Sequence, residues 1–249
     1  MKLEVTCITD VGLRRENNQD FFLFEEFAEN LGIYVVADGM GGHSGGEVAS
    51  RLAAETVVQV VRDFSKKEGS RKPHPRTILT TAYETASQRV FDTSKKPGAG
   101  LEGMGTTLVA AFFNGTTIFI ANVGDSRGYL FRDNKLWQLT EDHSLVNEQL
   151  RAGLITDEEV GRFIGKNVIT RSVGFEAEVS VDVIEREVQA GDVYLFCSDG
   201  LSGLVEDERI SEILRGNKPS EAVAKCVEEA KRNGGDDNVT VMVLHAKSL

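Results

Sequence analysis

The sequence predicts an α+β fold built on antiparallel sheets, and three observations carry that expectation. Short apolar runs rich in β-branched residues, such as Ile33 to Ala37, recur along the chain and are too short for typical helices. Compact turn signals, Asn114-Gly115 and Asp133-Asn134, join neighbouring runs into hairpins and so make them antiparallel neighbours. The helical patterns come in pairs between blocks of strands instead of alternating with them one for one.

Taken in order, Leu3 to Thr9 reads as a strand turned by Asp10-Val11-Gly12. The stretch Leu13 to Asp20 is too polar for core, and Phe21 to Phe27 resumes as a strand that the run at Ile33 can pair with. A helix opens at Ser44 or Gly45 and runs to about Ser65, with apolar residues spaced by three and four. After the basic loop Ser70 to Pro75, a second helix starts with Pro75 or Arg76 in its first turn and carries Ile78, Leu79, Ala82, Ala86 and Val90 as one stripe. Strands are expected at Thr106 to Asn114, Thr116 to Val123, Gly128 to Arg132 and Lys135 to Leu139. From Asp142 to about Gly174 the chain turns polar, with helical pieces at Leu145 to Arg151 and Asp157 to Phe163, and reads as an insertion over the body. Strands return at Val179 to Val188 and Val193 to Cys197. Helices follow at Asp207 to Leu214 and from Pro219, the second stopped by Gly234-Gly235, and Asn238 to His245 is the last strand.

The 249 residues suffice for one large domain, and 41% hydrophobic with 27% charged residues is ordinary for a soluble protein. A formal net charge of -11 argues against nonspecific binding to nucleic acid or an anionic membrane, and it suits a protein that gathers cations. Three cysteines, Cys7, Cys197 and Cys226, make no disulfide framework and no zinc signature. With no membrane-length apolar run and no signal-peptide core, the expectation is a cytoplasmic protein.

Three motif-like matches carry no function. Gly98 to Gly103 fits GxGxxG but leads into a strand, where a dinucleotide fold needs a preceding strand and a following helix. Gly161 to Asn167 is one residue short of a P-loop and lacks its Ser or Thr. Cys226 to Arg232 has a Cys-x5-Arg spacing, but two glutamates and no glycine lie between, so Cys226 is a core residue of an amphipathic helix.

The informative pattern is an aspartate at a strand end, often followed by glycine. Asp38-Gly39 closes the apolar run at Ile33, with Gly41, Gly42, Gly45 and Gly46 after it. Asp199-Gly200 follows the run at Val193, Asp125 follows Phe119 to Val123, and Asp236-Asp237 precedes the last strand. Carboxylates at four strand ends are what a hard divalent cation needs, and oxygen-only ligands suit Mg²⁺ or Mn²⁺. Two such ions bridged by a carboxylate can lower the pKa of a water and aim it at phosphorus. A guanidinium is then required for the phosphoryl oxygens, with Arg14 and Arg15, close to Asp20, as adjacent candidates.

These segments resemble the metal-dependent protein phosphatases of type 2C (the PPM family) in their bacterial single-domain form. The matching residues are Asp10-Val11-Gly12 with Arg15 to Asp20, Ala37 to His43, Gly105-Thr106-Thr107, Val123 to Arg127, Asp142-His143-Ser144, Cys197 to Leu201 and Asp237 to Thr240, in family order over nearly the whole chain. The resemblance implies one domain over residues 1–249, a sandwich of two antiparallel sheets with helix pairs on both faces, and a flap at about 142–174. It implies hydrolysis of phosphoserine and phosphothreonine on proteins. Asp38 would bridge two Mn²⁺ or Mg²⁺ ions, with the Gly39 carbonyl on the second and Asp199 and Asp237 on the first. Asp20 would act in the second ion's shell through water, and Asp125 with Asp199 would hold a third, weaker ion. Arg15, at the family's spacing from Asp20, would bind the substrate phosphate. With Asp38, Asp199 and Asp237 it forms the expected catalytic set. Phosphorylated proteins would be its substrates and a Ser/Thr kinase its counterpart, with the enzyme a monomer.

Two departures stand out. Met40 replaces the histidine that animal members carry after the Asp-Gly, and His43, three residues on, does not inherit its role. Arg162 to Asn167 stands where the flap usually has a His-Pro pair before its asparagine. A related hydrolase of small phosphate esters and a catalytically silent phosphoprotein binder are the alternative readings.

Overall fold

The structure, a computed structural model, describes residues 2–42, 44–66, 73–98, 100–165 and 167–247. His43, Ala99, Lys166 and residues 67–72 lie outside the described residues. One sheet orders β1 (Lys2–Asp10), β11 (Val239–Lys247), β10 (Val193–Cys197), β7 (Arg127–Arg132) and β8 (Lys135–Gln138). The other orders β2 (Asp20–Ala28), β3 (Leu31–Met40), β5 (Leu108–Asn114), β6 (Thr117–Val123) and β9 (Asp182–Glu187), with the short β4 (Gly105–Thr106) paired to the end of β3. Every pairing is antiparallel.

The apolar runs alternate between two cores, which is why they read as continuous. In β3, Ile33, Val35 and Ala37 face the helices α1 (Gly45–Lys66) and α2 (Pro75–Ser94), while Tyr34 and Val36 face the other sheet. In β11, Val239, Val241 and Val243 face α6 (Asp207–Gly216) and α7 (Pro219–Arg232), while Met242, Leu244 and Ala246 point between the sheets. A strand buried on both faces has no polar side, so period two is hidden and only the run remains visible. The result is the expected four-layer arrangement of helices, sheet, sheet and helices. Each fully buried Phe or Val contributes about 1.5–3 kcal/mol by leaving water. Tyr83 of α2 is fully buried, with its hydroxyl 3.1 and 2.9 Å from the carbonyls of Leu108 and Ala121.

Several boundaries differ from the sequence-based expectation. The strand expected at Thr106 to Asn114 breaks at Thr107, whose backbone N–H and hydroxyl turn to Asp38. The helix expected at Asp157 to Phe163 is α4 (Asp157–Val160), and the strand at Val179 to Val188 is the shorter β9. Asp199 opens a one-turn helix, α5 (Asp199–Ser202), that periodicity does not signal. Asp20, placed in a stretch too polar for core, begins β2 and is 6% exposed. Asp133 and Asn134 both have positive φ, 52° and 60°, the backbone of a tight hairpin turn.

The polar segment between β8 and β9 carries α3 (Leu145–Arg151) and α4, and both ends are tied to the body. Its return limb bridges Val173 to Thr106, and Ser87 of α2 holds the Gly174 N–H at 2.9 Å. Among the described residues no helix is long and apolar enough to cross a membrane.

Candidate metal centre

Side-chain parity brings the first two carboxylates together. Asp38 continues the Tyr34, Val36 side of β3 and so faces the gap between the sheets, and Asp20 is its register partner on β2. The backbone at Asp38 is clamped by the break at Thr107. Thr107 Oγ1 accepts from the Asp38 N–H at 3.1 Å, and the Thr107 N–H and Thr106 hydroxyl both donate to the Asp38 carbonyl at 2.8 Å. Asp20 accepts from Ser198 Oγ at 2.7 Å, and that hydroxyl is held by the Thr240 N–H at 3.0 Å.

The other sheet supplies two more, and the link from β6 to β7 supplies Asp125. Asp199 follows β10 as the first residue of α5, and Asp237 sits just before β11. Asp125 follows β6, beside Ser126, whose hydroxyl pairs with Thr107 Oγ1 at 2.7 Å. The two Asp-Gly steps need glycine for room. A Cβ at Gly39 would lie 2.0 Å from the Gly46 carbonyl oxygen, and one at Gly200 would lie 1.9 Å from that of Asn238. The glycines therefore pack backbone on backbone beside each aspartate.

Electrostatics record the convergence. Burial pushes Asp38 well above the ordinary carboxylate value, and the charges of Asp20, Asp199, Asp125 and Asp237 push it further. Burial raises Asp20 to about 7 against the hydrogen bonds from Ser198 and Thr240, and Asp199 and Asp237 add to the rise. Burial also raises Asp125 to about 7, assisted by Asp199 and Asp142. Asp199 is raised by burial and by Asp237. One oxygen each of Asp20, Asp125 and Asp199 is buried with no hydrogen-bond partner. Uncompensated buried carboxylates are costly, and divalent cations are the compensation that an all-oxygen donor set fits. Among the described residues no three such groups are already drawn into a cage. Their mutual repulsion opposes it, and Arg15 Nη2 holds Asp237 Oδ2 at 2.7 Å.

All the residues expected from sequence, Arg15, Asp20, Asp38, Gly39, Asp125, Asp199 and Asp237, thus lie at or beside one end of the sandwich. Arg14 does not join them: its guanidinium reaches Asp236 at 3.7 Å, with both side chains mostly exposed. An open cleft of about 580 Å³ beside the cluster is lined by Arg14, Arg15, Asn17, Gln19, Gly42 and Asn238. A larger hollow along α2, about 650 Å³, contains none of the carboxylates.

Sequence reasoning assigned no role to Asn238, Thr107 or Ser198, although all three lie in the matched segments. Asn238 is 5% exposed; its Oδ1 accepts from the Gln19 N–H at 2.8 Å, and its Nδ2 donates to the carbonyls of Val11 and Asn17 at 2.9 and 3.0 Å. It ties the loop that carries Arg15 to the segment that carries Asp237. Only its adjacency to Asp237 hinted at this.

The four-layer sandwich with an acidic cluster at one end defines a class of phosphatase, and comparison with known proteins agrees. The family model described as protein phosphatase 2C matches residues 14–233. The chain belongs to that family, the type 2C phosphatases its motifs resemble, and is an enzyme, a serine/threonine protein phosphatase. It is 39% identical over 246 residues to the serine/threonine phosphatase stp of Listeria monocytogenes, covering 95% of this chain and 93% of that protein. It is 38% identical to the serine/threonine protein phosphatase PstP of Mycobacterium tuberculosis over 97% of this chain and 44% of that one. Among solved structures, the catalytic domain of PstP in complex with two manganese ions superposes with a TM-score of 0.85 at 36% identity, covering 99% of both chains. Stp1 of Staphylococcus aureus gives 0.90 at 30% identity, covering 100% of this chain and 96% of that one.

Proposed function

We propose that this phosphatase is Mg²⁺- or Mn²⁺-dependent and hydrolyses phosphoserine and phosphothreonine on proteins by direct attack of water. The observation that carries the reading is the convergence of Asp20, Asp38, Asp125, Asp199 and Asp237 on one end of the sandwich, three of them with buried unpartnered oxygens. Asp38, Asp199, Asp237 and the Gly39 carbonyl would hold two ions, Asp20 would act through water, and Asp125 with Asp199 would hold a third. When bound, such ions supply Lewis-acid polarisation of the phosphoryl group and a water of lowered pKa. The complex of the PstP catalytic domain with two manganese ions supports the metal choice.

The chain's own residues divide the remaining work. Arg15, half-exposed at the cleft, offers its fork to the phosphoryl oxygens. Asn238 and Gln19 hold the loop that aims it. Asp20 is oriented by the Ser198 hydroxyl, which donates to its Oδ2 at 2.7 Å. Cys197 and Cys226 are fully buried, and burial raises both thiols, so neither serves as a nucleophile. We assign the whole chain to one catalytic domain, with the segment 142–174 as a flap, and place the enzyme in the cytoplasm opposite a Ser/Thr protein kinase.

The test is phosphate release from a phosphothreonine peptide with Mn²⁺, with Mg²⁺ and with EDTA. Release that needs metal and is abolished by EDTA is expected. Metal-independent release, or release from small phosphate esters alone, overturns the reading.

A further inference from the structure

His143 is a buried imidazole that the proposed reaction does not use. It is 6% exposed and opens the flap segment. Its ring Nδ1 accepts from the Gly124 N–H at 3.0 Å, and the His143 backbone N–H donates to the Gly124 carbonyl at 3.0 Å. Both polar groups of Gly124 are therefore clasped by one residue. Gly124 immediately precedes Asp125, has φ of +104°, and abuts Thr107, where a Cβ would come within 2.6 Å. The turn that carries Asp125 is thus fixed between His143 on one side and Thr107, the clamp on Asp38, on the other.

The other ring nitrogen faces the return limb of the flap. Because Nδ1 accepts, the neutral ring carries its proton on Nε2, which donates to Asp182 Oδ2 at 2.9 Å. Arg171 Nη1 converges on the same carboxylate, 3.2 Å from Asp182 Oδ1 and 3.1 Å from Nε2. The Thr170 N–H donates to the His143 carbonyl at 2.9 Å. Asp182 therefore sets the tautomer that makes Nδ1 an acceptor, and both limbs of the flap meet at this ring.

We infer that His143 is a positioning residue for Asp125: oriented by Asp182, it clasps Gly124 and so fixes the Asp125 carboxylate for a divalent cation while coupling it to the flap. The inference rests on the reading of Asp125 as a metal ligand. A partner that orients a ligand in this way is typically worth about 10–100-fold in metal affinity.

Two substitutions separate the two faces of the ring. In His143→Asn the amide oxygen stands where Nδ1 stood and keeps an acceptor for Gly124. In His143→Gln the amide reaches toward Asp182 and leaves the Gly124 N–H unpartnered. Mn²⁺ titration by calorimetry on the whole protein is the readout. The weakest Mn²⁺ site should weaken about 10-fold or more in His143→Gln. It should stay close to wild type in His143→Asn, and the tighter sites should be unchanged in both. In an Asp125→Ala background, His143→Gln should change Mn²⁺ binding no further. If Asp125→Ala loses a site while His143→Gln binds as wild type does, the inference fails and the metal reading stands. If Asp125→Ala loses no site, the metal reading of Asp125 fails. Should His143→Gln not fold, the nitrogen NMR spectrum of the wild-type imidazole decides. A proton on Nε2 supports the inference, and a proton on Nδ1 overturns it.

Discussion

Arg15 Nη2 rests 2.7 Å from Asp237 Oδ2, so the guanidinium assigned to the substrate phosphate sits on a carboxylate assigned to a metal ion. The contact spans the chain from its first loop to the start of its last strand. Arg14, one residue away, instead reaches the neighbouring Asp236 at 3.7 Å in water-facing positions. Adjacent arginines on one loop thus face different carboxylates.

From this follows a contrast between two alanine variants. Arg15→Ala should lower kcat/KM for a phosphopeptide about 10- to 100-fold, as expected for a charge-assisted hydrogen bond worth about 1.5–3 kcal/mol. Arg14→Ala should change it less than about fivefold, because exposed ion pairs are worth about 0–1 kcal/mol. Steady-state kinetics on both variants check this, and a larger effect at Arg14 would show the loop to be misregistered.

Removing a carboxylate at the cluster should abolish turnover and spare the fold. Asp38→Ala and Asp199→Ala are each expected to lose about 10³-fold or more in kcat, roughly 4 kcal/mol of transition-state stabilisation. The strands around Asp38 keep their apolar packing, so circular dichroism should be unchanged. Full turnover in either purified variant contradicts its assignment.

Asn238→Ala deletes three hydrogen bonds at a nearly buried side chain and leaves the Gln19 N–H and two carbonyls to find water. We expect about 1–3 kcal/mol lower stability, read as a lower urea midpoint. Because the freed loop carries Arg15, KM should rise as well. A variant with the midpoint lowered and KM unchanged would show Asn238 to be structural only.

Without metal, the protein should lose stability as pH rises. The unfolded chain releases the Asp20 and Asp125 protons near the ordinary value of 3.8, whereas the folded chain holds them until about 7. Between those values the folded state binds more protons, so its stability is fully present below the lower value and declines toward the upper one. Urea midpoints in EDTA should therefore be higher near about pH 5 than near about pH 7.5, just above the upper value. The difference should shrink in Asp20→Asn, and Mn²⁺ should raise the midpoint at the higher pH. A metal-free midpoint that climbs with pH would contradict the placement of these carboxylates.

The strands and the acidic cluster were legible in the sequence to different depths. Ile33 to Ala37 and Val193 to Cys197 announced themselves because both their faces are buried. The hairpin at Asp133-Asn134 was visible because few residues accept positive φ at both turn positions. The strand break at Thr107 escaped notice because a β-branched residue in an apolar run looks like strand. What breaks the strand is the Asp38 backbone, which is distant in sequence. The helical turn at Asp199 is too short to show a period.

By itself the sequence determined most of the segments that become strands and helices, which aspartates stand at strand ends, and which family the chain belongs to, because those depend on local pattern and on motif order. Only the tertiary structure decided that Asp20 is buried against Ser198, that Arg15 rather than Arg14 meets Asp237, and that His143 clasps the turn before Asp125. Each of those contacts joins segments far apart in the chain, and hydrogen bonds between such segments leave no periodic trace in either one.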